Sequence, residues 1–153
     1  MKKIKKILLF THEKYQNNAD IQKLIQFLKR KKIGYELLLQ NVGEIKLNST
    51  GEDLKLSSIR KKISPSSYGL IIVFGGDGLF LSASKVANIL HLPILGINFG
   101  KIGFLVDVDK KDILKKVYEI MNGDYITDKR MQIDSKVTDV NEKKVSSISL
   151  NDI

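Results

Sequence analysis

In the stretch YGLIIVFGGDGLFLSASKVA, residues 68–87, one carboxylate stands among three glycines directly after an apolar run. The order of residue types at Gly75, Gly76, Asp77 and Gly78 predicts a turn between a buried strand and a helix beginning near Leu79. Such a turn at the carboxyl end of a central strand is where open α/β sheets place their ligands. Glycines let the backbone turn tightly and come close to a ligand, and the helix start adds a positive dipole end suited to phosphate. An aspartate in that position can take a proton from an attacking hydroxyl or orient a divalent cation that neutralises phosphates. The structural alternative is that Asp77 caps the helix while the glycines form the turn. Spacing alone leaves these readings open.

A second glycine cluster, GINFGKIGFLVD at residues 96–107, follows the next apolar run and contains Gly96, Gly100, Lys101 and Gly103. It is not a P-loop. Its spacing is one residue short of GxxxxGK, and Ile102 stands where Ser or Thr must reach a metal. A GxGxxG dinucleotide fingerprint is also absent. The cluster reads either as a plain crossover loop or as the second wall of a nucleotide cleft. Two glycine loops at the ends of successive strands would line one edge of a sheet, which favours the cleft.

The elements that must position these loops alternate. Ile4 to Thr11 reads as a buried strand, and ADIQKLIQFLKRKK places Ile21, Leu24, Ile25 and Leu28 on one helical face before Gly34 breaks the helix. YELLL is a second short strand. Asn41 to Ser67 reads as a mobile loop with one helical turn around Leu56 to Lys62. Leu70 to Phe74 lacks polar alternation, as a strand covered on both faces does, and belongs in the middle of the sheet. Leu79, Ala83, Val86, Ala87 and Leu90 mark a helix face, and LPILGI is another strand. DKKDILKKVYEIMNGDY is a further helix, with Asp109 as N-cap and Gly123 as its stop. This is an α/β pattern: an open, mostly parallel, Rossmann-like sheet with helices on both faces over residues 1–127. From about Thr127 the texture changes. Met131 to Val137 and Val145 to Ile153 read as two antiparallel strands around the polar turn DVNEKK. Residues 128–153 are thus expected to begin an all-β, sandwich-like domain that is incomplete within this sequence.

Composition narrows the function classes. The net charge of +9 comes mostly from scattered lysines, with only Arg30, Arg60 and Arg130 among the arginines and little aromatic interleaving. That pattern describes a solvated surface better than a nucleic-acid footprint. No cysteine is present, which excludes disulfides and thiolate metal sites. His12 and His91 lack carboxylate neighbours at ligand spacing and read as structural residues, so no metal ligands are assigned. The basic start followed by Ile7 to Phe10 is too short an apolar run for a signal peptide or a membrane span. A cytoplasmic protein without membrane or nucleic-acid partners is the expectation.

The two glycine motifs in this order resemble the NAD kinase family. GGDG matches its signature, GINFGKIGFLVD is similar to its second glycine segment, NGDYITDKRMQID to its link into a second domain, and SLNDI to its Asn-Glu/Asp motif. The resemblance implies phosphorylation of the 2′-hydroxyl of the adenosine ribose of NAD, with ATP or another phosphoryl donor and a divalent cation such as Mg²⁺. By position it implies Asp77 as proton acceptor, with Gly75, Gly76 and Gly78 in the nucleotide site. Asn151 and Asp152 would serve the ribose and adenine region, and Phe104 would lie near the adenine. The plain readings are an ordinary polar strand end for Asn151 and Asp152 and core packing for Phe104. Two departures stand out. Leu79 follows GGDG where the family usually has a polar residue, and the Thr-Gly-Ser-Thr-Ala-Tyr segment has no counterpart before Ile153. The sequence is therefore expected to be an N-terminal part of the family's length, and its activity in isolation is left open. Full-length members of the family resemble homo-oligomers. A lipid kinase of the diacylglycerol or sphingosine type, or an inactive nucleotide-binding remnant, are the competing readings.

Overall fold

Runs of β-branched and aliphatic residues without polar alternation produce strands covered on both faces. In the computed structural model, which describes residues 4–42, 44–100, 103–106, 108–138, 140 and 144–150, Ile7, Leu8, Leu9 and Phe10 are all fully buried. They belong to β1 (Lys6–His12). The chain continues through α1 (Ala19–Arg30), β2 (Gly34–Asn41), β3 (Glu44–Leu47), β4 (Asp53–Leu54) and the short α2 (Ile59–Lys62). It then forms β5 (Leu70–Gly75), α3 (Asp77–Leu90), β6 (Ile94–Asn98), β7 (Val108–Asp109), α4 (Ile113–Asn122), β8 (Ile133–Thr138) and β9 (Lys144–Ser149). Strands one to seven form a single sheet in the order β4-β3-β2-β1-β5-β6-β7. The β2/β1/β5/β6/β7 pairs are parallel, and β3 and β4 add antiparallel at one edge. The expected open, mostly parallel α/β sheet is what the chain forms.

Helices cover both faces. On one, Ile21, Leu24, Ile25 and Leu28 of α1 and Ile113 and Val117 of α4 pack on Ile7, Leu9, Ile72 and Phe74. On the other, Phe80, Ala83, Val86, Ala87 and Leu90 of α3, with Ile59 of α2, pack on Leu8, Phe10, Ile71 and Val73. Alternate residues of β1 and β5 thus feed opposite layers, as the two-residue repeat of a strand requires. The sequence face read for α1 is the buried face observed. Asn18 caps that helix, its Oδ1 accepting the Asp20 N–H at 2.9 Å. Gly34 does not break it, because α1 ends at Arg30 and Gly34 opens β2. Asp109 caps the turn before α4, and Gly123, at φ 84°, ends that helix in the left-handed region glycine favours.

The described residues of 41–67 fall largely into short strands and helical turns, which corrects the expectation of a loop. Ile45 and Leu47 point into the core while Glu44 and Lys46 are more exposed, and Leu54 pairs opposite Ile45. The helical turn expected at Leu56 to Lys62 is present as a tight turn (Leu56–Ser58) leading into α2. Strands β8 and β9 pair antiparallel in a sheet of their own, the hairpin expected after Thr127. Ile133 and Val137 on β8 remain exposed at 45% and 64%.

Candidate active site

The chain runs from β1 to β2 on one side and returns to β5 on the other, so the carboxyl ends of β1 and β5 diverge at a topological switch point. A buried hydrogen bond ties those ends together: Thr11 Oγ1 donates to the Phe74 carbonyl at 3.0 Å. The glycine turn begins one residue later. Gly76 is the N-cap of α3, with extended backbone at φ −101°, and Asp77 is the first helical residue. The helix therefore begins two residues before Leu79, and Asp77 is not its cap.

None of the turn's glycines has positive φ. Tight turning, the role expected of them, is thus not what this turn requires. A Cβ at Gly75 would stand 3.0 Å from Leu79 Cβ, so that glycine makes room for packing within the turn. A Cβ at Gly76 or Gly78 would meet nothing within 4 Å. Both are exposed, and neither conformation nor internal packing demands glycine there. Without side chains there, the start of α3 is left open, and the first N–H groups of a helix have no acceptor earlier in it.

Asp77 reaches across to the second glycine segment. Its Oδ2 accepts the Phe104 N–H at 2.9 Å and its Oδ1 accepts the Leu105 N–H at 3.1 Å. Phe104 is 97% exposed, which excludes core packing for its ring. The structure thus brings together Gly75, Gly76, Asp77, Gly78 and the backbone of Phe104. Asn151 and Asp152 lie outside the described residues.

The facing wall comes from the ends of β1 and β2, and sequence reasoning missed it. His12, Lys14, Tyr15 and Gln40 join Gly75, Gly76, Gly78 and Leu79 around a cleft of about 350 Å³. His12, read from the sequence as a structural residue rather than a metal ligand, lines this cleft. Its Nδ1 accepts the Lys14 N–H at 3.3 Å. The Lys14 ammonium lies 4.9 Å from the Tyr15 ring centroid. Tyr15 meets Phe99 edge-on at 5.8 Å, and Phe99 meets Phe74 at 5.6 Å, so aromatic contacts run from the cleft wall into the core. Gln40 donates from Nε2 to Ser82 Oγ at 3.1 Å, while its Oε1 is buried with no partner among the described residues. The available signal was positional, since His12, Lys14 and Tyr15 end or follow β1, which abuts the switch point, and Gln40 lies near the end of the neighbouring β2.

A larger hollow of about 820 Å³ lies between α3, β6 and residues 125–132. It lies away from the exposed glycines, which line the smaller cleft; Asp77 lines neither and stands beside the smaller cleft, between Gly76 and Gly78. The Tyr68 phenol, held above its usual range first by burial and then by the Glu36 carboxylate, sits before β5 and thus at the sheet's other end. Among the described residues no group of three His, Cys, Asp or Glu is placed to hold a metal ion. No helix of the described residues is long and apolar enough to cross a membrane.

Leu79, the departure noted in the sequence, is half-buried and packs on the core layer containing Ala83 and Val86. Leu79→Asn is expected to cost about 1–2 kcal/mol through lost apolar burial. A urea denaturation midpoint checks this, and an unchanged midpoint would make Leu79 a neutral surface residue.

The chain matches the sequence profile of the ATP-NAD kinase N-terminal domain over residues 3–125. It is similar to the NAD kinase of Legionella pneumophila (strain Paris), 29% identical over 99% of this chain and 50% of that protein. It is likewise similar to the NAD kinase of Aquifex aeolicus, 31% identical over 86% of this chain and 49% of that protein. The chain spans about half the length of the curated relatives it matches. Among solved structures, yeast NADH kinase complexed with NADH aligns over 97% of this chain and 47% of its own, with a TM-score of 0.62 at 12% identity. An NAD kinase from Archaeoglobus fulgidus in complex with ATP aligns over 90% of this chain and 44% of its own, with a TM-score of 0.53 at 17% identity. These structures share the fold. With a profile match across most of its length and the glycine turn at the switch point, the chain belongs to the NAD kinase family.

Proposed function

We propose that this protein transfers the γ-phosphoryl group of ATP to the 2′-hydroxyl of the adenosine ribose of NAD, giving NADP, with Asp77 as general base. The observation that carries the reading is a carboxylate at the start of α3, beside two glycines left open to a ligand, at the carboxyl end of β5. The ribose oxygen forms a bond to the γ-phosphorus as the bond from that phosphorus to the β,γ-bridging oxygen breaks. The hydroxyl proton passes to Asp77, and ADP leaves. Each carboxylate oxygen already accepts one backbone N–H and has a second lone-pair direction for the hydroxyl. The open amides at the start of α3 and the Lys14 ammonium would hold phosphate oxygens, and the exposed Phe104 ring would lie against adenine. Asn151 and Asp152 would serve the ribose and adenine region.

A donor set of one carboxylate fits a Mg²⁺ ion that arrives on the donor's phosphates better than a resident metal. When bound, such an ion would neutralise phosphate charge, with Asp77 the nearest protein ligand available in the turn. The α/β unit would end near residue 127, the β-rich unit would begin at 128, and the protein would work in the cytoplasm as a homo-oligomer.

The deciding experiment incubates the protein as its cell makes it with NAD, ATP and magnesium and measures NADP. Absence of NADP would overturn the assignment. Within that assay, Lys14→Ala is expected to raise the KM for ATP about tenfold or more, the worth of one charge-assisted contact, while changing the KM for NAD less. Equal effects on both substrates would remove Lys14 from the donor site.

A further inference from the structure

The Asp77 carboxylate spends one acceptor position on each of two successive amides, Phe104 and Leu105, that lie 27 and 28 residues further along the chain. Residues 103–106 belong to no helix or strand that could hold them otherwise. Gly103 precedes these amides, and its φ is not in the left-handed region. Glycine is required there for space alone: a Cβ would overlap the carboxylate, standing 2.5 Å from Asp77 Cγ. Immediately after it, Phe104 holds a nearly fully exposed ring in water on a backbone whose N–H is tied down. An apolar ring held out in this way gains nothing from burial and is pre-placed for a ligand.

We infer that Asp77 and Gly103 form a latch that ties the segment after β6 to the start of α3, so that Gly103 is a positioning residue for Phe104. The consequence for nucleotide binding rests on the function proposed above; the latch itself does not. One carboxylate then serves two ends. In the proposed reaction it acts as base, and it simultaneously sets where the Phe104 segment stands. An Asn at position 77 keeps a single acceptor oxygen and points an N–H₂ group at the other amide, so it damages both roles. Gly103→Ala, in contrast, keeps both carboxylate oxygens and sets a methyl group against them, so that carboxylate and segment are pushed apart.

The test has two arms. In the first, amide hydrogen exchange is followed by NMR without nucleotide in the unsubstituted protein and in Gly103→Ala, Asp77→Asn and Asp77→Ala. Asp77→Ala introduces no overlap and covers the case in which Gly103→Ala folds poorly. The Phe104 and Leu105 amides are expected to lose protection about tenfold or more in all three variants, while β5 amides keep theirs. Equal exchange at Phe104 and Leu105 with and without the carboxylate would overturn the latch. In the second arm, Gly103→Ala is expected to raise the KM for NAD about as much as Phe104→Ala does, with the double variant no worse than either and kcat reduced far less than in Asp77→Asn. Additive KM effects would show that Gly103 does not act through Phe104 and would overturn the positioning role. A protein that makes no NADP, yet shows the exchange pattern of the first arm, would refute the proposed reaction and leave the latch standing.

Discussion

Asp77→Asn is expected to lower NADP formation by about 10²- to 10⁴-fold, the usual loss when a general base is removed. The latch shapes how that loss divides. If Asp77 acts only as a base, the fall lies in kcat and the KM for NAD stays near its original value. Because its oxygens also hold the Phe104 and Leu105 amides, the KM is expected to rise as well, by about the same factor as in Gly103→Ala. The ratio of kcat between Asp77→Asn and Gly103→Ala then compares removal of the proton acceptor with its displacement from the Phe104 segment. Near-normal turnover by Asp77→Asn would remove the base assignment whatever the KM shows.

Phe74→Ala carries the largest expected effect on stability, about 3–5 kcal/mol, typical of a large aromatic side chain deleted from a core. Phe74 is fully buried on β5, packed in the layer beneath α1 and α4, with the Phe99 ring 5.6 Å away. Because Phe99 in turn carries Tyr15, the cavity is expected to loosen the wall that bears Lys14 as well as to weaken the sheet. The Thr11 hydrogen bond goes to the Phe74 carbonyl, so the substitution spares it and the loss reports packing. Urea denaturation of both proteins measures the difference. A loss below about 1 kcal/mol would mean that the layer closes around the gap and that the aromatic run does not couple core to cleft.

The run from Tyr68 to Ala87 disclosed strand, turn and helix because each signal there is local: unbroken apolar residues, then glycines, then apolar positions at helical spacing. The Glu44–Leu47 and Asp53–Leu54 strands were hidden because four residues and two residues are too few to establish a two-residue alternation. Their existence is decided by pairing with β2 and with each other, which leaves no local trace. The catalytic candidate itself was legible, whereas its hydrogen-bond partners were not. Those partners are backbone amides, which every residue carries, and the nearest trace of them in the sequence is a glycine 26 positions away whose reason only the fold reveals. Lys14 escaped notice, and His12 is read only as a structural residue, for a related cause. A lone His and a Lys in a lysine-rich chain gain meaning only when strand order sets them beside the glycine turn.

The seven-stranded sheet ends on both sides in strands of two residues, Asp53–Leu54 and Val108–Asp109. A foreign strand seeking to extend it would find a ladder too brief to hold, and at the Asp53 end a carboxylate 4.0 Å from the Lys46 ammonium marks the rim with charge. Such stunted borders are a common defence against polymerisation through unpaired backbone. They direct any self-association by strand addition away from the seven-stranded sheet and toward the six-residue strands of the β8–β9 hairpin.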